Sequence, residues 1–410
     1  MPSAEIIAVG TEILLGDIVD TNSQALGRVF AECGISHKRR TTIGDHPERC
    51  ANAIQEAMAR ADVVVTIGGL GPTGDDITRE AIGLAVREEM VSDKGALENL
   101  RTYVSSRGRE WREAYARQSM RPTSARCLPN EEGTAPGIHW SREGKQVIAM
   151  PGPRNEFLGM LEKSVRPILE SMSNSVIRSR TLRILGAPEA ALEETFALEM
   201  QSENPTLPPY AKVGEVHLRI TARAQNQEDA EAMISPLLLS ISSRLGKAVY
   251  SDRNEDLAEV IISQLASQNH SVAVAESCTG GMLGARITSV PGASSVFAGG
   301  IIGYSDMVKA DVLHVAPEDL EKFGAVSEEI ACQMATNVRS RIGSTYGLSI
   351  TGVAGPGGGS EAKPVGLVFL GISTPTGTRA EECRFRGSRD HIREISVQRS
   401  LALLWEVIRD

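Results

Sequence analysis

Paired cysteines are missing from this chain. Its cysteines stand singly, with no CxxC motif, along a sequence of 410 residues. They are Cys33, Cys50, Cys127, Cys278, Cys332 and Cys383. A secreted disulfide framework and a structural zinc site both need grouped cysteines, so we expect neither. Reduced thiols are typical of the cytosol, and we expect a cytoplasmic protein.

Long hydrophobic runs and an excess of positive charge are also missing. No stretch approaches the roughly 20 apolar residues of a membrane helix, and the first residues, MPSAEIIAVG, lead directly into a predicted strand. We therefore expect no contact with a membrane and no signal peptide. The formal net charge of -9 does not attract nucleic-acid phosphates, and the middle of the chain has no GxxG motif. A small anionic ligand is a better expectation than a direct nucleic-acid partner.

Hydrophobic residues make up 41% of the chain and charged residues 23%, as in ordinary globular proteins. Because 410 residues exceed what one hydrophobic core usually organises, we expect two or three domains. Alternating strands and helices predict a doubly wound α/β domain over residues 1–174 and a second α/β domain over residues 253–410. Residues 175–252 have the pattern of a small α+β module. The helix predicted near residue 21 has Thr21 or Asn22 as its N-cap.

A glycine-rich loop, GGLGPTGDD, follows the apolar run VVVTI. The run predicts a buried parallel strand, and ligands in open α/β sheets bind at the carboxyl ends of such strands. Gly68, Gly69 and Gly71 let backbone amides approach a phosphate at the start of the next helix. Asp75 and Asp76 are suited to hold a divalent metal or to orient water. The alternative is that these two carboxylates only cap that helix.

Two more glycine-rich loops, SCTGG and TGVAGPGGG, lie in the last part of the chain. Hydroxyl, amine and guanidinium side chains from neighbouring loops there predict a pocket with a nucleophile and a phosphate site. These are Ser277, Ser294, Tyr304, Lys309 and Arg389. The alternative is that Ser294 caps a helix and Lys309 is solvated. Cys278 is a weaker nucleophile candidate because its motif has no histidine, and His314 and His391 are weaker candidates for a base.

The order of several long motifs resembles that of the CinA family. VGTEILLGDIVDTNSQALG, GGLGPTGDD, GTAPG and MPGPRNE resemble its N-terminal half, whose first domain is similar to the molybdopterin-binding fold. AESCTGG, PGASS, YSDMVK, GAVS, TGVAGPGGG and KPVG resemble its C-terminal half, the nicotinamide mononucleotide deamidase domain. The resemblance covers nearly the whole chain. It implies a KH-like middle module and a homodimer.

For the C-terminal domain, the resemblance implies an amidohydrolase of NAD salvage that needs no cofactor. It converts nicotinamide mononucleotide to nicotinate mononucleotide and ammonia. Carried over by motif, Ser294 is the reactive hydroxyl, Lys309 its proton acceptor and Tyr304 a relay. Ser277 is also carried over as a catalytic residue, and it holds the ligand together with the glycine loops. Arg389 pairs with the substrate phosphate, and loop amides near Gly280 and Gly352 stabilise the oxyanion. The loop residues assigned to the substrate are Thr279, Gly280, Gly281, Thr351, Gly352 and Gly355.

For the N-terminal domain, the resemblance implies metal-dependent hydrolysis of ADP-ribose to AMP and ribose 5-phosphate. Asp75 and Asp76 are the expected ligands of a divalent ion, Mg²⁺, Mn²⁺ or Co²⁺, and Asp76 is also an expected catalytic residue. The residues assigned to the diphosphate and to the opposite wall of the site are Gly68, Gly69, Gly71, Thr73, Gly152 and Glu156.

Three positions depart from the pattern that is frequent in the family. Arg154 replaces a proline, Gly303 a threonine and Asp306 an asparagine. The first bears on the affinity for anions. The other two lie beside Tyr304 and bear on the preference for one substrate over another.

Other functions stay open at this point. The N-terminal domain is either an enzyme or a non-catalytic nucleotide- or pterin-binding regulator of the amidase. A third possibility is that the whole protein is a competence or DNA-damage accessory factor acting through protein contacts. In the amidase, the serine either forms a covalent acyl intermediate or positions a water molecule.

Overall fold

The computed structural model describes residues 2–173 and 175–409. Within these residues no helix combines the length and the apolar character needed to cross a bilayer. The chain divides into two compact units, residues 1–179 with 222–233 and residues 180–221 with 234–410. This division runs through the module expected over residues 175–252, and residue 174, the expected end of the first domain, lies outside the described residues. The three domain boundaries therefore stay predictions.

The N-terminal part is built on one mixed sheet. Its strands are β1 Ser3–Val9, β2 Ser36–Ile43, β3 Val63–Ile67, β4 Met90–Ser92, β5 Met120–Pro122, β6 Arg126–Leu128, β7 Gly137–Arg142 and β8 Lys145–Met150. Its helices are α1 Thr11–Leu15, α2 Thr21–Glu32, α3 Pro47–Arg60, α4 Thr78–Val86, α5 Lys94–Ser106, α6 Glu113–Ala116, α7 Arg154–Met160 and α8 Arg166–Met172. The strand order is β2-β1-β3-β8-β7-β6, with β4 and β5 as a separate pair. The first four strands of the sheet are parallel, as expected for a doubly wound domain.

Parallel strands with both faces covered explain the apolar runs of this part. Every residue of β3 is buried. Ile6 and Val65 belong to the apolar cluster on one face of the sheet, and Ile7 and Val64 to the cluster on the other, which is the alternation of a pleated strand. Pairing of Ile67 with Ala8 and Met150 aligns the carboxyl ends of β1, β3 and β8 at one edge. The loops that follow these three strands therefore meet there.

The N-cap predicted for α2 is wrong by one residue. Asp20, rather than Thr21 or Asn22, accepts a hydrogen bond from the backbone N–H of Ser23 at 2.9 Å. The helix begins at Thr21, so the carboxylate just before it is the group within reach of the free amides. Asn22 uses its side chain elsewhere and donates to the carbonyl of Gly152 at 2.7 Å.

The middle of the chain forms a small sheet with helices. Its elements are β9 Val176–Ile184, α9 Glu189–Thr195, α10 Ala197–Met200, β10 Pro209–Lys212, β11 Glu215–Ala224, α11 Gln227–Leu245 and β12 Val249–Ser251. The strand order is β10-β11-β9-β12. Residues 188–200 form two short helices rather than one, because the backbone turns at the buried Phe196, with φ of -115° and ψ of 24°.

The C-terminal part is a second α/β sheet. Its strands are β13 Val272–Glu276, β14 Phe297–Ile302, β15 Tyr346–Gly352, β16 Leu367–Thr374 and β17 Gly377–Arg384. Its helices are α12 Leu257–Ser267, α13 Met282–Thr288, α14 Asp306–Asp311, α15 Pro317–Phe323, α16 Glu328–Ile342 and α17 Arg389–Ile408. The order is β14-β13-β15-β16-β17, with β13 parallel to both β14 and β15. Ser388 caps α17, accepting from the N–H of His391 at 3.3 Å.

Gly371 tests how closely α16 packs on this sheet. A Cβ at Gly371 would lie 2.4 Å from the carbonyl oxygen of Ala331 on α16 and 2.3 Å from the hydroxyl of Ser349. We expect Gly371→Ala to lower the free energy of unfolding by about 1–3 kcal/mol in denaturant titrations, because the helix must move outward. Gly357→Ala is the matched control, since nothing lies within 4 Å of its Cβ position. Equal stability of the two variants would contradict this packing.

Candidate functional site

A cleft of about 680 Å³ lies at the carboxyl ends of β1, β3 and β8. The structure brings most of the residues assigned to the N-terminal site to its wall: Gly68, Gly69, Gly71, Asp75, Asp76, Gly152 and Glu156. Thr73 is exposed and is not part of this wall, but it contacts Asp76 of the same loop. The loops after β3 and β8 thus face each other across one space, as the topology of a doubly wound sheet requires.

The glycines of the first loop are needed for its turn. Gly68 has a φ of +102° and Gly69 a φ of +67°, a region that only glycine enters readily. A Cβ at Gly68 would lie 2.3 Å from the carbonyl oxygen of Val9, and one at Gly69 would lie 2.4 Å from the hydroxyl of Thr78. The loop therefore packs against β1 and the start of α4 with no room for a side chain.

Arg79 holds this loop from beneath and was not among the predicted residues. It is fully buried and donates to the carbonyl oxygens of Leu70, at 2.5 Å, and Gly71. Burial lowers its pKa to about 10, so it stays charged at neutral pH. Its position in the sequence could have indicated this role. A positive charge in the first turn of a helix interacts unfavourably with the helix dipole, so an arginine there indicates a compensating contact.

The two aspartates of the loop have different surroundings. One carboxylate oxygen of Asp76 accepts from the backbone N–H of Thr73 at 2.9 Å and from its hydroxyl at 2.6 Å. Asp75 is exposed at the rim of the cleft. The N-cap position of α4 is Ile77, with no side-chain hydrogen bond. The alternative that these aspartates merely cap the helix is therefore wrong.

Further polar groups of the cleft are only partly satisfied. One carboxylate oxygen of Asp20 and the side-chain oxygen of Gln118 are buried without a hydrogen-bond partner. Glu156 accepts from Asn130 at 2.7 Å. No three histidine, cysteine or acidic side chains in the described part of the chain lie close enough to hold a metal ion by themselves. An ion bound here would take ligands from a substrate diphosphate and water as well, which is usual for Mg²⁺.

Arg154, one of the three departures, lies at the rim of the same cleft. Its guanidinium donates to the carbonyl oxygen of Thr21 at 2.9 Å and to the side-chain oxygen of Asn22 at 3.0 Å. It therefore ties the loop after β8 to the start of α2 and adds positive charge where a phosphate would enter.

In the C-terminal part, the ends of three parallel strands again form one edge. Glu276, the last residue of β13, pairs with Ile302 of β14 and Ile350 of β15. The Ser277, Tyr304 and Gly352 loops follow these strands. They therefore meet at this edge of the sheet.

Arg389 links two of the predicted groups at this edge. It donates to the carbonyl oxygen of Gly355 at 2.7 Å and to the hydroxyl of Tyr304 at 3.2 Å. These two hydrogen bonds join the TGVAGPGGG loop to Tyr304, which lies in the loop after β14. The guanidinium is exposed, so it is accessible to an anion.

Lys309 is buried beside Tyr304, with only 1% of its surface exposed. Its amine lies 3.3 Å from the carbonyl oxygen of Tyr304 and 3.4 Å from a carboxylate oxygen of Asp306. The alternative that this lysine is solvated is therefore wrong. Two of the three positions that depart from the frequent family pattern lie next to Lys309. Asp306 places a carboxylate beside the amine, and a Cβ at Gly303 would lie 3.4 Å from the Lys309 side chain.

The first loop of this site, SCTGG, presents several buried groups. The hydroxyl of Thr279 is fully buried without a hydrogen-bond partner, and Arg393 donates to the carbonyl oxygen of Thr279 at 2.9 Å. Ser277 is buried at the end of β13. Burial raises the pKa of Cys278 to about 11, so its thiol is protonated at neutral pH and is a poor nucleophile. Thr351 is committed elsewhere, since its hydroxyl donates to the carbonyl oxygen of Ala325.

Glu276 organises the amides of this loop and was missed by sequence reasoning. Its buried carboxylate accepts from the backbone N–H groups of Gly281 at 3.0 Å, Leu283 at 3.0 Å and Gly284 at 2.8 Å. The N–H of Gly280 donates to the carbonyl oxygen of Ser277. These amides are therefore not free, and the expectation that amides near Gly280 stabilise an oxyanion does not fit the geometry. The signal was an acidic residue that ends an otherwise apolar buried strand.

Ser294 is the predicted residue that the single chain does not bring to this edge. It is exposed and lies in the helical turn Ala293–Ser295 that precedes β14. A strand of six residues spans about 20 Å, so Ser294 and Tyr304 lie at opposite ends of β14. The N-cap of this turn is Gly292 and Ser294 lies within the turn, so the alternative role as a helix cap is not supported either.

Comparison with known proteins now identifies the family. Residues 5–171 match the model of a probable molybdopterin binding domain, residues 179–251 that of the damage-inducible protein CinA KH domain, and residues 254–408 that of the CinA C-terminal domain. The chain is 44% identical, over 99% of both chains, to a putative competence-damage inducible protein of Moorella thermoacetica. It is 42% identical, over 95% of both, to a CinA-like protein of Dictyoglomus thermophilum. The chain belongs to the CinA family.

A solved structure also resembles part of this chain. The competence/damage inducible protein CihA of Agrobacterium tumefaciens is 38% identical and covers 38% of this chain and 94% of its own, with a TM-score of 0.37. The family models confirm the expected fold: a molybdopterin-binding-like N-terminal domain, a KH module and an α/β C-terminal domain of the CinA type.

The carboxylate of Glu276 is expected to stabilise the CinA C-terminal domain. In Glu276→Gln the new amide group would point N–H atoms at backbone N–H donors, and at least one buried donor would lose its partner. We expect the free energy of unfolding to fall by about 1–3 kcal/mol in denaturant titrations. Glu361→Gln, at an exposed position, is the control and should be neutral. An equally neutral Glu276→Gln would show that these hydrogen bonds do not hold the loop.

Proposed function

We propose that the C-terminal domain of this CinA-family protein is an amidohydrolase that acts on nicotinamide mononucleotide. The products are nicotinate mononucleotide and ammonia, and no cofactor takes part. The observation that supports this most is the buried amine of Lys309, which lies 3.3 Å from the backbone carbonyl oxygen of Tyr304, while Arg389 donates to the hydroxyl of the same tyrosine. A buried lysine beside a tyrosine is an arrangement suited to proton transfer in a site without a histidine.

Each group has a task in amide hydrolysis. A hydroxyl oxygen attacks the carboxamide carbon while a base takes its proton, and the C–N bond breaks as the nitrogen is protonated. Lys309 is the proposed base, and Tyr304 relays the proton to the departing ammonia. Arg389 is exposed at the rim, where its planar guanidinium suits a substrate phosphate. The attacking hydroxyl belongs to Ser294, to Ser277 or to water.

Replacing Lys309 tests this proposal directly. Lys309→Met keeps the length and burial of the side chain but removes the base, so we expect ammonia release from nicotinamide mononucleotide to fall by about 10²-fold or more. Thermal unfolding checks that the variant is folded, and Lys322→Met, at an exposed position, is the control. Full activity of folded Lys309→Met would exclude the lysine from the chemistry.

We further propose that the N-terminal domain hydrolyses ADP-ribose in the presence of a divalent ion. The cleft at the carboxyl ends of β1, β3 and β8 supports this, because it joins a glycine loop, acidic groups and Arg154 in one space. Asp75 and Asp76 are the proposed ligands of the ion, together with the diphosphate. The ion would neutralise the charge of the diphosphate and favour attack by water at phosphorus. Gly152 and Glu156 form the opposite wall.

A regulatory N-terminal domain is the alternative for this cleft. The same loop and cleft would then bind a nucleotide or a pterin without turnover, and occupancy would alter the amidase. A competence or damage-response role through protein contacts is the remaining alternative if neither domain turns over its proposed substrate.

Asp75 separates catalysis from binding in the N-terminal cleft. Even groups behind a metal ligand change metal affinity or activity by about 10–100-fold, so we expect Asp75→Asn to lower metal-dependent formation of AMP at least tenfold. Wild-type protein with Mg²⁺, Mn²⁺ or Co²⁺ is compared with protein in a chelator, and Asp17→Asn, exposed on the loop after α1, is the control. Calorimetric binding of ADP-ribose without any AMP would favour the regulatory alternative.

A further inference from the structure

Strand β14 is one of the two edge strands of the described C-terminal sheet, and β17 is the other. Strand β14 pairs with β13 on one side and lies at one end of the strand order of that sheet. Ala298, Gly300 and Ile302 are exposed, Ile302 by 53%. A free edge presents unpaired N–H and C=O groups, and proteins usually cover it or protect it with charge or proline. The sequence of β14, FAGGII, contains neither.

Exposed apolar side chains continue beyond the end of this strand. Tyr304 is 60% exposed, Met307 68% and Val312 40%. Large apolar groups that follow one another on a surface mark an interaction site rather than a solvated face. The strand edge and these side chains together fit a partner that supplies a strand of its own.

A second copy of this chain meets that requirement through its own β14. Two identical strands related by a two-fold axis perpendicular to the sheet pair in antiparallel fashion. With the axis at Gly300, Gly300 lies opposite Gly300 of the partner subunit, and Ala298 lies opposite Ile302 of the partner subunit. The glycines at the centre have no side chains to keep the two backbones apart. The start of one β14 therefore lies beside the end of the other.

This pairing would resolve the separation of Ser294 from the other groups. In one chain Ser294 lies before β14, whereas Tyr304 and Lys309 lie after it. In the antiparallel pair, the turn that carries Ser294 of the partner subunit comes to the end of β14 where this chain's Tyr304 and Lys309 lie. In one chain Ser294 is exposed at an end of the sheet that holds none of the other predicted groups. The pairing explains this exposure, because the groups with which Ser294 acts then belong to the other subunit.

We propose that two copies of this chain pair through β14 and that each amidase site is completed by Ser294 of the partner subunit. The inference rests on the proposed amidase function. The hydroxyl of the partner's Ser294 gives its proton to Lys309, and its oxygen bonds to the carboxamide carbon. The C–N bond breaks, and the nitrogen takes that proton and leaves as ammonia. Water then cleaves the acyl-serine ester, which yields nicotinate mononucleotide and restores the hydroxyl.

Mixed dimers of full-length chains distinguish a shared site from a site within one chain. A Ser294→Ala chain and a Lys309→Met chain are co-expressed with different tags, and the doubly tagged dimer is isolated. The shared-site arrangement leaves one complete site of two, so we expect about half of the wild-type ammonia release, while each variant homodimer is inactive. An inactive mixed dimer would overturn the proposal.

A reciprocal dimer reverses the expectation. When a wild-type chain pairs with a chain carrying both Ser294→Ala and Lys309→Met, a shared site leaves neither site complete, whereas a site within one chain leaves one. We therefore expect no ammonia release from this dimer. About half of the wild-type activity would overturn the shared site.

The edge itself is tested by lysines on β14. In Ala298→Lys with Ile302→Lys, charge at the edge opposes pairing, so we expect a lower mass by light scattering and loss of ammonia release. Leu198→Lys, at another exposed apolar position, 82% exposed, should keep both mass and activity. If the wild-type protein releases no ammonia, the proposed function fails and the mass decides the pairing: a lower mass of the lysine variant supports it, and an unchanged mass overturns it.

Discussion

Parallel pairing of neighbouring strands is the constraint on which both candidate sites depend. Strands that run in the same direction end at the same edge of a sheet, so the loops that follow them are brought together without regard to their distance in sequence. In the N-terminal part Ile67 aligns with Ala8 and Met150, and in the C-terminal part Glu276 aligns with Ile302 and Ile350. The residues that could bind a ligand come from these loops in each case.

Two buried charges keep these loops in shape. Arg79 donates to carbonyl oxygens of the GGLG loop, and Glu276 accepts from amides of the SCTGG loop and α13. Backbone carbonyls accept from the two terminal nitrogens of Arg79, whose Nε has no hydrogen-bond partner, and backbone amides donate to Glu276. These hydrogen bonds offset much of the cost of burying each charge. A loop fixed from inside needs little rearrangement when a ligand arrives, so these two loops are largely preformed.

The fold could be predicted further than the sites. Continuous apolar runs such as VVVTI and VAVAE indicate buried parallel strands, and the glycine-rich loops mark where these strands end. The anchors Arg79 and Glu276 could not be inferred with the same ease, since their partners are backbone groups whose direction only the folded loop defines. Ser294 shows a second limit: nearness in sequence to Tyr304 suggested a common pocket, but an extended strand between them separates them. The break at Phe196 likewise depends on tertiary burial rather than on helix propensity.

The position of Glu276 has a consequence for how ligands can be recognised. Helix N-termini are common binding places for anions because they combine free amides with a favourable dipole. At α13 that place is already filled by a carboxylate of the protein itself. A phosphate bound at this edge of the sheet finds these α13 amides occupied, whereas the exposed Arg389 attracts it with a strength that dissolved salt screens. Ionic strength, rather than loop rigidity, would then set how firmly this end of the molecule retains a nucleotide.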